Sequence, residues 1–247
     1  MKIKIAKVQI VAISDLHLKE TVKSLIKTQN SLAGSETYFF TSKIEEVKKL
    51  IPKTKKINLV FIDPINNHKD YNYFIIYKLH KYIKFSHCLI TQWDGFSMCN
   101  WMWNENFLNY DYIGAPFLRR KNDLNYCRDK DGIFRSVGNG GFSLRSKKLL
   151  EAPSKLELKD EPTFTNYHED GFFSVLHRSK LESLGFRWPE EKIARQFSQE
   201  KARNIFDLIR PSYGCHGKLY STISTLWVPL NFLRKFYTYV VKKLALL

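Results

Sequence analysis

Four clusters in the chain hold residues with chemistry to offer. Cys88–Phe96 (CLITQWDGF) rises from an apolar run into a polar tip carrying Gln92 and Asp94. Gly138–Arg145 (GNGGFSLR) sets glycines around Asn139, Tyr167–Phe173 (YHEDGFF) pairs Glu169 with Asp170, and Pro211–Gly217 (PSYGCHG) places His216 among glycines. Asp94, followed by Gly95, puts a carboxylate in a tight turn. Such an oxygen suits a hard divalent cation, Mn2+ or Mg2+, of the kind that neutralises a leaving diphosphate; the plain alternative is a turn cap. The glycines beside His216 leave room for a ligand to approach. His216 could complete a metal site with Asp94 or touch diphosphate directly, or it could be an ordinary loop histidine. Glu169 and Asp170 precede an apolar segment at a helix start, where acids are stabilised by the helix dipole. Capping explains them. A rigidly held carboxylate there also suits a general base that takes a proton from an attacking hydroxyl.

Gly138, Gly140 and Gly141 open a surface where ligand hydroxyls could meet backbone amides, or they form a bulge or hairpin. They match neither a phosphate loop nor a dinucleotide fingerprint. Arg145, Lys147 and Lys148 follow and face either an anionic ligand or water.

The elements that must position these groups read as α/β. Buried strands are predicted over Val8–Ser14, Glu36–Thr41, Ile57–Ile62 and Cys88–Thr91. Helical spacing joins them over His17–Leu32, Lys43–Leu50 and Tyr71–Ile83, and Pro52 ends the second helix. The order βαβαβαβ implies one mostly parallel sheet flanked by helices. The Gln92–Gly95 tip then lies at the carboxyl end of the fourth strand, where ligands bind in open α/β sheets. Ser14 and Asp15, at the end of the first strand, are placed to meet a nucleotide base and ribose. Downstream, Val137–Arg145 reads as a strand, Lys121–Gly132 as a polar loop, and Lys147–Glu151 as a short helix stopped by Pro153. The chain divides into a domain over 1–217 and a tail over 218–247. In the tail, Leu230, Leu233, Tyr237, Val240, Val241 and Leu244 share one helical face while Arg234, Lys235, Lys242 and Lys243 lie elsewhere. That pattern suits a helix lying on an anionic membrane surface; packing on the domain or a partner subunit is the alternative.

Bulk properties set the frame. The chain has 247 residues, 44% hydrophobic and 15% aromatic, enough for a sizeable core. Its formal charge of +16 favours anionic partners: nucleic acid, acidic membrane or phosphorylated small molecules. No nucleic-acid motif is present, which argues against the first. Cys88, Cys99, Cys127 and Cys215 form no CxxC pair or zinc spacing and read as reduced thiols in a cytoplasmic protein. The N-terminus lacks the continuous apolar core of a signal peptide. No stretch approaches the roughly 20 charge-free apolar residues of a membrane span.

QWDGF, YDYIGAPF, VGNGGFSLRS, HEDGFF and the Gly-Cys-His-Gly end, taken together, resemble a glycosyltransferase-like bacterial domain family found among polysaccharide-synthesis genes. The resemblance covers roughly Val8 to Gly217. It implies a GT-A fold: a nucleotide-binding sheet followed by an acceptor half. By the resemblance, Asp94 takes the place of the metal-binding acid and Asp170, or Glu169, that of the catalytic acid. Gly140 and Gly141, with Asn139, would line the sugar pocket, and His216 the metal or diphosphate side. Gln92 stands where a full Asp-x-Asp would have its first acid. The expectation is a transferase moving a sugar, with inversion, from a nucleotide sugar to a glycan or lipid-linked acceptor at the inner face of the cell membrane. A nucleic-acid-binding protein and a non-catalytic sugar-binding scaffold are the alternatives.

Overall fold

Strand β2 (Val8–Ile13) sends Val8, Ile10 and Ala12 into one core and Val11 and Ile13 into another. Successive side chains of a strand point to opposite faces. Both faces are covered here, so the run is continuously apolar rather than alternating. The computed structural model describes residues 3–4, 8–117, 127–161, 165, 168–201, 207, 210–217 and 236. The predicted C-terminal helix lies outside these residues, Phe236 excepted.

In chain order, β1 (Ile3–Lys4) pairs with β3 (Leu32–Ala33). β2 leads into α1 (Leu18–Ser31), β4 (Glu36–Thr41), α2 (Ile44–Leu50), β5 (Asn58–Phe61), α3 (His68–Tyr73) and β6 (His87–Thr91). The main sheet runs β5-β4-β2-β6-β9-β8, with β8 at Tyr112–Ile113 and β9 at Phe142–Ser146. The first four of these are mutually parallel, and β9 is antiparallel to both neighbours. The chain moves outward from β2 through β4 to β5, then returns to add β6 on the other side of β2. That reversal opens a crevice at the carboxyl ends of β2 and β6.

Three local readings change. The third helix starts at His68, three residues early, because Asn67 accepts hydrogen bonds from Lys69 N and Asp70 N. After Tyr73 it loosens into a π-helical turn, Phe74–Lys78, and tightens into a 3₁₀ turn, Leu79–Tyr82. The strand predicted over Val137–Arg145 begins only at Phe142. Before it, the amides of Asn139, Gly140 and Gly141 are taken by Ala115 O, Asp170 Oδ2 and Asn139 Oδ1, not by a ladder. Pro153 lies inside α4 (Lys147–Lys155) instead of ending it at Glu151. Proline removes a donor but not an acceptor, and its carbonyl still takes Leu158 N at 2.9 Å.

A second, three-stranded sheet matters more for the site. β7 (Phe96–Ser97) pairs antiparallel with β11 (Gly214–Cys215), which pairs parallel with β10 (Ser198–Gln199). It brings the end of the chain's described body back to the turn after β6.

Candidate active site

A cavity of about 330 Å³ occupies the crevice at the ends of β2 and β6. Ser14, Asp15, Leu16 and His17 line it from the turn after β2, Ile65 and Asn67 from the loop before α3, His68 and Tyr71 from α3, and Gln92 and Trp93 from the tip after β6. His17 adopts a left-handed backbone, φ 49°, at the start of α1. A non-glycine residue held there is strained, and such strain gathers at ligand sites. Its ring stacks on Trp93 with centroids 4.8 Å apart. Gln92 Nε2 donates to Tyr71 Oη at 2.8 Å. Among the described residues, no lysine or arginine lines the cavity. Its walls suit a flat, neutral aromatic ring and a sugar hydroxyl better than a bare phosphate.

Ser14 and Asp15 stand where the sequence put them, but Asp15 is occupied. Its carboxylate accepts from Thr41 Oγ1 at 2.6 Å, Ser42 N at 2.8 Å, Ser42 Oγ at 2.8 Å and Ile65 N at 2.7 Å. Burial pushes its carboxyl up, yet these donors outweigh it and hold it below its ordinary value. Asp15 clasps the ends of β2, β4 and the loop after β5; it shapes the cavity rather than waiting for a ligand. Ser14 Oγ donates to Leu16 O and accepts from Leu16 N at 3.1 Å, fixing the turn into the cavity.

Asp94 and His216 meet. Gly95 N closes the tip on Gln92 O, and Gly217 N donates to Asp94 O at 3.1 Å. The β7–β11 pairing then holds His216 Nε2 3.4 Å from Asp94 Oδ1. Neither Oδ1 of Asp94 nor Nδ1 of His216 has a hydrogen-bond partner in the structure, and both are buried. Burial alone would push the imidazolium down; the Asp94 carboxylate, with Glu200 and Asp170 beyond it, overcomes this and holds His216 above its ordinary value. Asp94 and His216 together offer one carboxylate oxygen and one ring nitrogen of the kind a divalent cation takes, and the imidazolium would have to lose its proton for the ion to bind. No group of three His, Cys, Asp or Glu able to hold a metal occurs among the described residues.

Glu169 and Asp170 separate into two roles. The helical turn Glu169–Gly171 runs into a π-helical segment, Phe172–Leu176. Glu169 Oε2 lies 2.6 Å from Arg145 Nη2. Arg145, expected to face a ligand or water, has 0% exposure. Its guanidinium packs 4.7 Å from the Tyr112 ring centroid and donates to Ser143 Oγ at 3.1 Å. Strand alternation is the signal that places it: Phe142 and Leu144 fill one core, so Arg145 turns to the other face. Burial raises Glu169 above the usual carboxylate range; Arg145 pulls it back and Asp170 adds to the rise. Asp170 accepts from Gly140 N at 3.2 Å and Gly171 N at 2.7 Å, which fixes its direction.

The glycines serve this arrangement and do not form an open floor. A Cβ at Gly140 would collide with the Glu169 carboxylate, and one at Gly141 with the His216 ring. Their amides are spent on Asp170 and Asn139, so the expected backbone surface for sugar hydroxyls is absent at these two positions. Asn139 is buried and braces the same turn. Tyr71 and Asn72 are hidden in the sequence because helical spacing makes that segment read as packing alone, and His17 and His68 stand at helix starts where no motif marks them.

Residues 54–216 match the family described as "Protein of unknown function (DUF5672)". The chain belongs to this family. No curated protein matches it. Among solved structures, the chain resembles the apo form of mouse xyloside xylosyltransferase 1, at 13% identity and a TM-score of 0.53. The match covers 85% of this chain and 97% of that one. At that identity the likeness shows the fold: a mixed α/β domain with a central, mostly parallel sheet, of the glycosyltransferase GT-A type. The four cysteines are buried and free, and no described helix is long and apolar enough to cross a membrane.

Proposed function

We propose that this chain is a glycosyltransferase that moves a sugar from a nucleoside-diphosphate sugar to a hydroxyl of a glycan or lipid-linked acceptor, with inversion, in surface polysaccharide synthesis. The juxtaposition of Asp94 and His216 beside a cavity walled by His17, Tyr71 and Trp93 carries the reading. The nucleoside enters the cavity against His17, Trp93 and Tyr71. Its diphosphate then extends toward Asp94 and His216, at the turn that follows Trp93. Mn2+ or Mg2+ held by these two residues would neutralise the departing diphosphate.

Asp170 is the base. Glu169 is committed to Arg145, whereas two backbone amides orient Asp170. As the acceptor oxygen attacks the anomeric carbon, its proton passes to Asp170 and the bond from that carbon to the diphosphate oxygen breaks. A single displacement inverts the centre. The residues after 217 are the segment proposed to hold the enzyme on anionic lipid at the inner face of the cell membrane, in keeping with the formal charge of +16.

Thermal shift against a panel of nucleotide sugars, with and without Mn2+, tests the reading, since a ligand that binds the folded state raises its apparent stability. One donor should raise the melting temperature, and Asp94→Ala should abolish that rise while folding normally. A panel with no stabilising member, or an Asp94→Ala protein stabilised like wild type, would overturn it.

A further inference from the structure

Between the nucleoside cavity and the acid turn stands one side chain with a fixed proton. His68 lines the cavity at the first turn of α3. Its Nδ1 lies 2.7 Å from Nδ2 of Asn72. Asn72 is buried, and its Oδ1 accepts the amide of Glu169 at 2.9 Å. A backbone N–H can only donate, so that bond fixes which end of the Asn72 amide is oxygen. Asn72 Nδ2 must then be the donor to His68, and Nδ1 of His68 the acceptor. A neutral imidazole that accepts at Nδ1 carries its proton on Nε2. Burial, and the His168 ring with its centroid 4.6 Å away, keep His68 below its ordinary value, with Asp170 opposing. The neutral form therefore prevails at neutral pH. Asn72 thus ties the cavity wall to the acid turn and leaves the single N–H donor of His68 on Nε2.

We infer that His68 is a specificity-determining residue: its Nε2–H, held in one tautomer by Asn72, donates a hydrogen bond to a hydroxyl of the transferred sugar. The inference rests on the reading of the site as a nucleotide-sugar site. A nucleoside seated against His17 and Trp93, with diphosphate at Asp94 and His216, must swing its sugar toward Asp170. His68 lines the cavity, and its ring meets that of His168, the residue before Glu169. A neutral donor suits a hydroxyl; a cation at this point would compete with His216 for the diphosphate.

Two measurements decide it. Nitrogen-15 NMR of the histidine rings in the full chain should show His68 as the Nε2–H tautomer, changing in Asn72→Asp, whose carboxylate accepts a proton from Nδ1. An Nδ1–H tautomer in the wild type would sink the inference. Calorimetry then compares His68→Phe and His68→Gln with wild type, using UDP-glucose, UDP-galactose, GDP-mannose and dTDP-rhamnose beside UDP, GDP and dTDP. For the sugar nucleotide that binds, His68→Phe should weaken affinity about tenfold while changing that of its own nucleoside diphosphate less than twofold, the size of one neutral hydrogen bond. His68→Gln, which can still donate, should recover part of the loss. Equal losses for both ligands would place His68 against the nucleoside and overturn the inference while leaving the transferase reading intact. A wild-type protein that binds no member of either set would overturn both.

Discussion

In the parallel half, β2 and β4 are gripped between two apolar cores. Around β9 the forces differ. Arg145, wholly buried, faces Glu169; Gly140 and Gly141 leave space that Glu169 and His216 fill; Asp170 directs itself by the Gly140 amide. Apolar burial is additive and forgiving, since volume-conserving exchanges are tolerated. A buried charge pair is not forgiving, because removing one member strands the other. The nucleotide half is therefore a general scaffold, and the acid turn is a lock with few permitted keys.

The sharpest way to break this contrast is Arg145→Met. It should destabilise the fold by about 3–5 kcal/mol, the effect of leaving a buried carboxylate uncompensated. Adding Glu169→Leu should restore much of the loss. Chemical denaturation of the single and double variants measures both, and a double variant no better than the single would show that packing, not charge, holds the turn.

Asp170→Asn leaves the lock closed and removes its chemistry. Turnover should fall by roughly 10²–10⁴-fold, as general-base loss does, with donor affinity nearly unchanged. Glu169→Gln should act chiefly on stability. Proton NMR of the product's anomeric coupling reads the geometry, and retained configuration would remove Asp170 from the role of base in a single displacement.

Gly141→Ala drives a methyl into the His216 ring. It should cost about 1–3 kcal/mol by overpacking and weaken nucleoside-diphosphate binding by displacing His216. Ile10→Val, the matched small change in the parallel half, should cost about 0.5–1.5 kcal/mol and leave binding alone. Equal binding losses from the two would erase the distinction between the halves.

Asp15→Asn sharpens the comparison at the smallest scale, because Asp15 is the parallel half's own polar clasp. The change should cost about 1–2 kcal/mol, since an amide cannot accept from all four donors. Asp15 is held below its ordinary value of 3.8. A depressed acid contributes stability that is present above its unfolded value and lost as pH falls through its folded value. The wild-type advantage should thus persist at neutral pH and shrink below about pH 3.8. Denaturation midpoints that stay parallel into strong acid would contradict the assignment.

What could be read from residues alone follows the range of the forces. The strands at Val8, Glu36 and Cys88 come from short apolar runs and the helices between them from periodic apolar spacing, both of which act over neighbouring residues. The site clusters were equally visible, because Asp94–Gly95 and Glu169–Asp170 advertise themselves by type. The start of α3 was misplaced by one local bond, the Asn67 cap, and the strand after Gly138 by amides that distant side chains had taken.

By itself, the sequence determined a parallel α/β sheet and the candidates for its chemistry, since composition and period suffice for both. Only the tertiary structure decided which candidates meet. The small β10-β11-β7 sheet sets His216 against Asp94, and strand alternation with burial turns Arg145 onto Glu169. Asn72 links His68 to the acid turn only once α3 packs beside it. These are pairings between segments far apart in the chain. Their energies depend on desolvation and on angles between elements, and neither exists until the chain has folded.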